Sequence, residues 1–101
     1  MNEFKIFIEA LELKAPWSIK GIKFIEVHPS EKELHIDLEY VSQGNYHHQD
    51  GSEYPITDYL EITRRYYNFL NCTCYLHTNL PCFLNSQHKK EQALLPVNKK
   101  T

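Results

Sequence analysis

Glycine, cysteine and methionine are scarce in this chain: three, three and one in 101 residues. With three glycines there is no glycine-rich loop to cradle phosphates. Three cysteines cannot all pair. Cys72 and Cys74 lie two apart, too close for an ordinary bridge on one strand face, so no disulfide framework is expected. No apolar run approaches the ~18 residues needed to span a bilayer. The start, MNEFKIFIEALELK, places acids inside its apolar pattern. A secretory signal would need a basic start and an uninterrupted apolar stretch, so a cytoplasmic protein without membrane contact is expected. A surplus of positive charge is also lacking. The net charge of −2 is a poor match to general affinity for nucleic acid.

What is present argues for one folded domain. The hydrophobic fraction is 42% and the aromatic fraction 13%, which excludes a disordered chain. Seven tyrosines and five phenylalanines suit strands better than helices. The charge is unevenly spread. Residues 1–53 hold ten acids against five lysines, a balance of −5; residues 54–101 hold three acids against six lysines and arginines, a balance of +3. A polyanion would therefore meet the second half.

Phe4, Phe7, Ile8 and Leu11 recur at helical spacing in residues 3–13. They predict a short amphipathic helix, capped by Asn2 and ended by Pro16. Residues 17–27, WSIKGIKFIEV, predict a strand with a bulge or bend at Gly21, where the apolar parity changes. A turn at Pro29–Ser30 follows. Residues 33–41 alternate cleanly, with Leu34, Ile36, Leu38 and Tyr40 on one face and Glu33, His35, Asp37 and Glu39 on the other. The two strands should pair as an antiparallel hairpin. Residues 42–55, SQGNYHHQDGSEYP, are expected to form a long polar loop. Residues 59–70 and 72–80 predict a second strand pair, with Asn71 at its turn; periodicity alone would also allow a helix over 59–70, and its aromatic and β-branched content favours the strand. The fold class expected is α+β: a short N-terminal helix and a mainly antiparallel meander of about four strands. Residues 1–88 form the domain, and 89–101 a flexible polar tail.

Several features share an order that resembles a known family. The helix leads to Pro16-Trp17 and to a hairpin ending Leu38-Glu39-Tyr40. Gly51, Asp58 and then RRYYNFLNCTCYLHTNLPC follow. This order resembles the N-terminal zinc-finger domain of the ISL-three family of bacterial insertion-sequence transposases. Over roughly residues 4–88, Arg65 falls on the family's arginine and Phe69 on its phenylalanine. Tyr75-Leu76-His77 falls on a Tyr-Leu-His segment, and Pro81 on a proline. The family's two cysteine pairs would fall on His47 and Asp50 and on Asn85 and His88, so all four zinc-ligand cysteines are absent. The resemblance implies a degenerate module that engages transposon-end or non-specific duplex DNA, without catalysis. Its nuclease carboxylates lie elsewhere in the family, and Asp58, Glu61 and Glu91 are framed by no motif here.

The residues agree in part. Arg64 and Arg65 are adjacent, so on a strand they face opposite sides, and one should reach phosphate. Lys89 and Lys90 would add to it, giving weak, salt-sensitive binding. Tyr66, Tyr67 and Tyr75 could stack on bases, although core packing is the ordinary role. No cofactor is expected. Zinc would need His47, Asp50, Cys82 and His88 together, and aspartate is a poor structural ligand. Neither a small-molecule substrate nor an enzyme activity is expected, and a homodimer is compatible with the sequence. The competing reading is a protein-interaction domain or an inactive remnant, suggested by the acidic first half.

Overall fold

The computed structural model describes residues 5–69, 71–95 and 97. Asn2, Phe4, Pro96 and Lys99-Lys100 lie outside the described residues. One helix, α1 (Lys5–Leu11), precedes six strands: β1 (Trp17–His28), β2 (Glu31–Tyr40), β3 (Asn45–His47), β4 (Glu53–Phe69), β5 (Cys72–Leu84) and β6 (Lys90–Gln92). Strands take up 64% of the described residues and form one curled, mixed, half-barrel sheet. Its order is β1-β2-β5-β4-β3, with β6 paired to β5.

Helix α1 buries Leu11 and half-buries Phe7 and Ile8. It stops before Pro16 because Glu12 adopts φ +54. The Glu12 amide then donates to the Glu9 carbonyl at 3.1 Å, and the Leu13 amide to that of Ile8 at 3.0 Å. These two bonds are the reciprocal pair of a Schellman motif, and buried Leu13 supplies its apolar contact.

The β1–β2 hairpin forms as its alternation requires. Its register shifts between Ile19 and Gly21, so buried Trp17 and Ile19 before the bulge and half-buried Ile22 after it share one side; Phe24 is on that side too but 55% exposed near the end of the hairpin. Leu34, Ile36 and Leu38 of β2 are 0%, 1% and 3% exposed. The β4–β5 hairpin also forms, turning at Asn71 with φ +60, a conformation asparagine tolerates.

The expected four-stranded antiparallel meander of an α+β fold is incorrect. The sheet has six strands, and β5 pairs in parallel with β2, from Glu33 opposite Thr73 to Asp37 opposite His77. Burial explains the order. On β5, Cys72, Cys74, Leu76, Thr78 and Leu80 are all buried, whereas β4 buries only Ile62 in 17 residues. A meander would place β4 beside β2, in the middle. Exchanging the order puts the strand with the most apolar surface at the centre. The crossover that parallel pairing needs is supplied by β3 and β4 rather than by a helix.

The segment read as a polar loop contains β3, paired with the start of β4 from Asn45 opposite Pro55 to His47 opposite Glu53. Tyr46 anchors it, 7% exposed. Residues 90–92 add β6 to the sheet, and Ala93 and Val97 are buried. Thr78 is the buried polar residue of the core, and its hydroxyl donates to the Leu38 carbonyl at 2.8 Å, so its burial leaves no unmet hydrogen bond.

Leu76 is 1% exposed at the β2–β5 joint, while Asn79 is exposed on the other face of the same strand. Leu76→Ala should cost roughly 2–5 kcal/mol of stability. Asn79→Ala should stay within about 0.5 kcal/mol. Urea unfolding of the two variants checks the facing of β5; equal losses would contradict it.

Candidate nucleic-acid interface and the paired loops

Alternation sends Arg64 and Arg65 to opposite faces of β4, opposite Leu76 and Tyr75 respectively. Arg65 is exposed. Its Nη2 donates to Asn68 Oδ1 at 2.7 Å, and its guanidinium carbon lies 5.9 Å from the Tyr75 ring centre, within cation–π range. Half-buried Arg64 donates from Nη1 to the Thr63 carbonyl at 3.3 Å. Among the described residues neither arginine has a carboxylate partner. Tyr67 is exposed and Tyr66 half-buried; burial raises the Tyr66 hydroxyl above its ordinary pKa.

Lys89 and Lys90 are exposed at the other end of the sheet. Lys90 lies opposite Leu84 and Arg65 opposite Tyr75. That spacing along β5 is roughly 30 Å at ~3.3 Å per residue, so the structure does not bring the four cations together. Lys90 Nζ donates to Asp58 Oδ2 at 2.7 Å. That bond, with a second from the Thr57 hydroxyl, holds the Asp58 carboxyl below its ordinary value. The same bond raises Lys90.

Between the arginines and the β1–β2 hairpin lies a polar sheet face. His35 Nε2 is 3.0 Å from Glu33 Oε1, His35 Nδ1 is 2.7 Å from His77 Nε2, and His77 Nδ1 is 3.0 Å from Thr63 Oγ1. A carboxylate only accepts, so for two neutral rings the direction follows. Thr63 donates to His77, His77 to His35, and His35 to Glu33. Tyr75 stacks on His35 at 5.2 Å, extending the ring row to Arg65. The face borders an open groove of about 830 Å³ lined by Lys20, Lys23, Asp37, Glu39 and Glu61. The sequence shows Glu33, His35 and Asp37 on the wet face of β2; it does not show that His77 and Thr63 adjoin that face.

The proposed zinc donors do not converge. Among the described residues no group of three or more His, Cys, Asp or Glu side chains is placed to hold a metal ion. His47 lies 3.7 Å from Glu53. Cys82 is buried, with its thiol 3.7 Å from the Leu80 carbonyl. The residues present therefore do not fit a tetrahedral zinc site. The pair Cys74 and His77 is no better as a catalytic couple: alternation puts them on opposite faces of β5, and burial pushes the Cys74 thiol up to about 11, away from the reactive thiolate.

What stands near those positions is a pair of equivalent loops. In residues 48–52 the Gly51 amide donates to the His48 carbonyl at 3.0 Å, and the His48 amide to the Ser52 carbonyl at 2.8 Å. In residues 85–89 the His88 amide donates to the Asn85 carbonyl at 2.9 Å, and the Asn85 amide to the Lys89 carbonyl at 2.9 Å. In each loop the first side chain accepts from the amide two residues on: His48 from Asp50 and Asn85 from Gln87. In each the fourth residue has positive φ, +90 at Gly51 and +60 at His88. The hydrogen bonds equate His48, rather than His47, with Asn85.

Glu91 joins the two loops. It accepts from Asn85 Nδ2 at 2.7 Å and lies 3.6 Å from His48 Nε2. Beneath them, fully buried Phe83 stacks between Tyr46 at 5.0 Å and Tyr54 at 5.1 Å, with His48 edge-on at 5.7 Å. Asp50 is held below its ordinary value by the Ser52 amide first, and also by the Tyr54 hydroxyl.

No protein-family model matches the chain, and no curated protein or solved structure matches it either. No helix among the described residues is long and apolar enough to cross a membrane.

The Asp58–Lys90 pair has a pH signature. Asp58 sits below its ordinary 3.8, so its share of stability is present above that value and is lost as pH falls through the lower folded-state value. Lys90 sits above its ordinary 10.5, so its share is present below that value and is lost as pH rises through the higher one. Asp58→Asn should therefore flatten both ends of the stability–pH curve, slightly, because the pair is exposed. Urea midpoints in acid, at neutrality and in alkali measure this; curves identical to wild type would show that the pair contributes nothing.

Proposed function

We propose that this chain is a non-catalytic, cytoplasmic DNA-recognition module of the type found at the front of ISL-three family transposases. The observation that carries the reading is the pair of equivalent loops at 48–52 and 85–89. The resemblance puts the family's two ligand pairs at His47 and Asp50 and at Asn85 and His88, the first one residue out of step with the loop equivalence. Here two loops with one hydrogen-bond pattern are joined through Glu91, above an aromatic cluster around Phe83.

The cations suit the backbone of a duplex better than its bases. Arg65 has no carboxylate partner among the described residues. Lys90 lies opposite Leu84 and is paired with Asp58, on the other side of the sheet from Arg65, so the arginine edge would meet phosphate without it. Tyr67 and Tyr75 flank Arg65 on the side where a backbone would lie. With few phosphate contacts and no groove-reading element among the described residues, binding is weak, salt-dependent and little concerned with sequence.

Fluorescence anisotropy of a labelled duplex tests this reading. Affinity at low salt should fall linearly on a log–log plot against salt. Arg64→Ala with Arg65→Ala should weaken binding and reduce the slope by about 1, since only Arg65 faces outward to a phosphate. A titration that finds no affinity for duplex DNA at low salt removes the reading.

A second reading, a protein-interaction domain, is favoured by a different observation. The outer edge of β4 is long, unpaired among the described residues beyond Ile56, and carries exposed Tyr59, Leu60 and Tyr67.

A further inference from the structure

The half-barrel leaves two long strand edges open among the described residues: the outer edge of β1 and that of β4. They are not equivalent. Register shifts at Ile19/Gly21 and Glu26/His28 break β1, and Lys20 and Lys23 lie along it. Bulges and lysines are the usual protection of an edge. On β4 the pairing with β5 runs without a shift from Asp58 to Tyr66. Strand β3 covers β4 only at residues 53–55, with one further bond from the Ile56 amide to the Gly44 carbonyl. Beyond that, Tyr59, Leu60 and Tyr67 are 55%, 40% and 52% exposed.

The sequence of this edge is complementary to its own reverse. When a strand pairs antiparallel with a copy of itself about a two-fold axis normal to the sheet, opposed residues share a face, so they share parity. An axis at Thr63 sets Glu61 opposite the partner's Arg65 and Arg65 opposite the partner's Glu61. Tyr59 meets the partner's Tyr67 on the same face, and Leu60 meets the partner's Tyr66 on the other. Opposite charges and aromatic pairs directly across a strand pair are the stabilising combinations. Neighbouring axes do worse: at Arg64 or Arg65 arginine meets arginine, at Glu61 glutamate meets glutamate, and at Ile62 no opposite charges meet.

We propose that the β4 edge is a self-association surface and that its occupant is a second copy of this chain, paired antiparallel about Thr63 to make one continuous sheet across the two protomers. The inference develops the protein-interaction reading and does not depend on the DNA reading. An arginine has five N–H donors, so Arg65 bonded to a carboxylate keeps donors for a phosphate, and a symmetric pair doubles the cations on one surface. Because the assay below contains no nucleic acid, either reading can fail alone.

Multi-angle light scattering at micromolar concentration should give twice the 12.0 kDa monomer mass. Glu61→Arg and Arg65→Glu should each reduce it to the monomer mass, through like charges facing each other. Glu61→Arg combined with Arg65→Glu reverses both partners and should restore the dimer, a rescue that mere misfolding of the single variants would not give. As an independent measurement, Thr63→Cys should crosslink between copies on mild oxidation, since opposed Cβ atoms lie about 4.5–5.5 Å apart, while Lys23→Cys on the β1 edge should not. The native cysteines Cys72, Cys74 and Cys82 are buried and would not interfere. A wild-type monomer at these concentrations overturns the proposal. So does a charge-reversed double variant that stays monomeric with native circular dichroism, or a Thr63→Cys variant that oxidises without crosslinking.

Discussion

Strand β5 pairs on both sides at once, in parallel with β2 and antiparallel with β4, and its burial alternation governs both pairings. Cys74 and Leu76 are 0% and 1% exposed. Between and beyond them, Thr73, Tyr75 and His77 face the other way. A slip of one residue against either neighbour would carry Tyr75 and His77 into the core and Leu76 out to water. The same register places His35 beside Tyr75 and Asp37 beside His77. The apolar core and the polar face are thus two consequences of one alignment.

What was legible in the sequence was local. Alternation in residues 33–41 shows which side of β2 is wet, and the parity change at Gly21 shows the bulge. Neighbours on a strand face opposite ways, so adjacency alone separates Arg64 from Arg65. The parallel joint was not legible. Glu33 and Thr73 lie forty positions apart in sequence, with a hairpin between them, and no turn chemistry encodes such a contact. The Glu33–His35–His77–Thr63 chain depends on that joint, and so does the order of the sheet. Strand β3 was missed for another reason. Its one apolar anchor, Tyr46, sits among polar residues, and three residues are too few for a period to show.

The loops at 48–52 and 85–89 share one backbone hydrogen-bond pattern and are joined to each other through side chains. A structural metal draws ligands from two loops to one point and supplies much of the folding energy. Here the link is spread out. Phe83 is fully buried and touches three rings of the first loop and its flanking strands, and such ring pairs add about 0.5–1.5 kcal/mol each beyond their area. Glu91 supplies the polar link, at the edge where water can complete the hydrogen bonds of His48. The loop backbones keep their form because their own amides and the Asx-type caps at His48 and Asn85 hold it. This geometry belongs to the turns themselves, and it persists with quite different side chains between them.

The order of the strands also decides what the arginines can meet. The acidic first half of the chain forms β1 and β2, with Glu33, Asp37 and Glu39 on the polar face; the arginines lie on β4. Strand β5, CTCYLHTNLPCFL, carries no Asp, Glu, Lys or Arg, and it separates β2 from β4 by two strand spacings, about 10 Å. That is near the Debye length of ~8 Å at physiological salt, so the field of the β2 carboxylates is largely spent before it reaches Arg65. In a meander β2 and β4 would adjoin, and the β2 carboxylates would lie one strand spacing from Arg65 on the same face. Placing an uncharged, core-forming strand between the two halves therefore does more than bury apolar surface. It keeps the acids from neutralising the arginine-bearing edge of the sheet, and leaves that edge to whatever charge arrives from outside the chain.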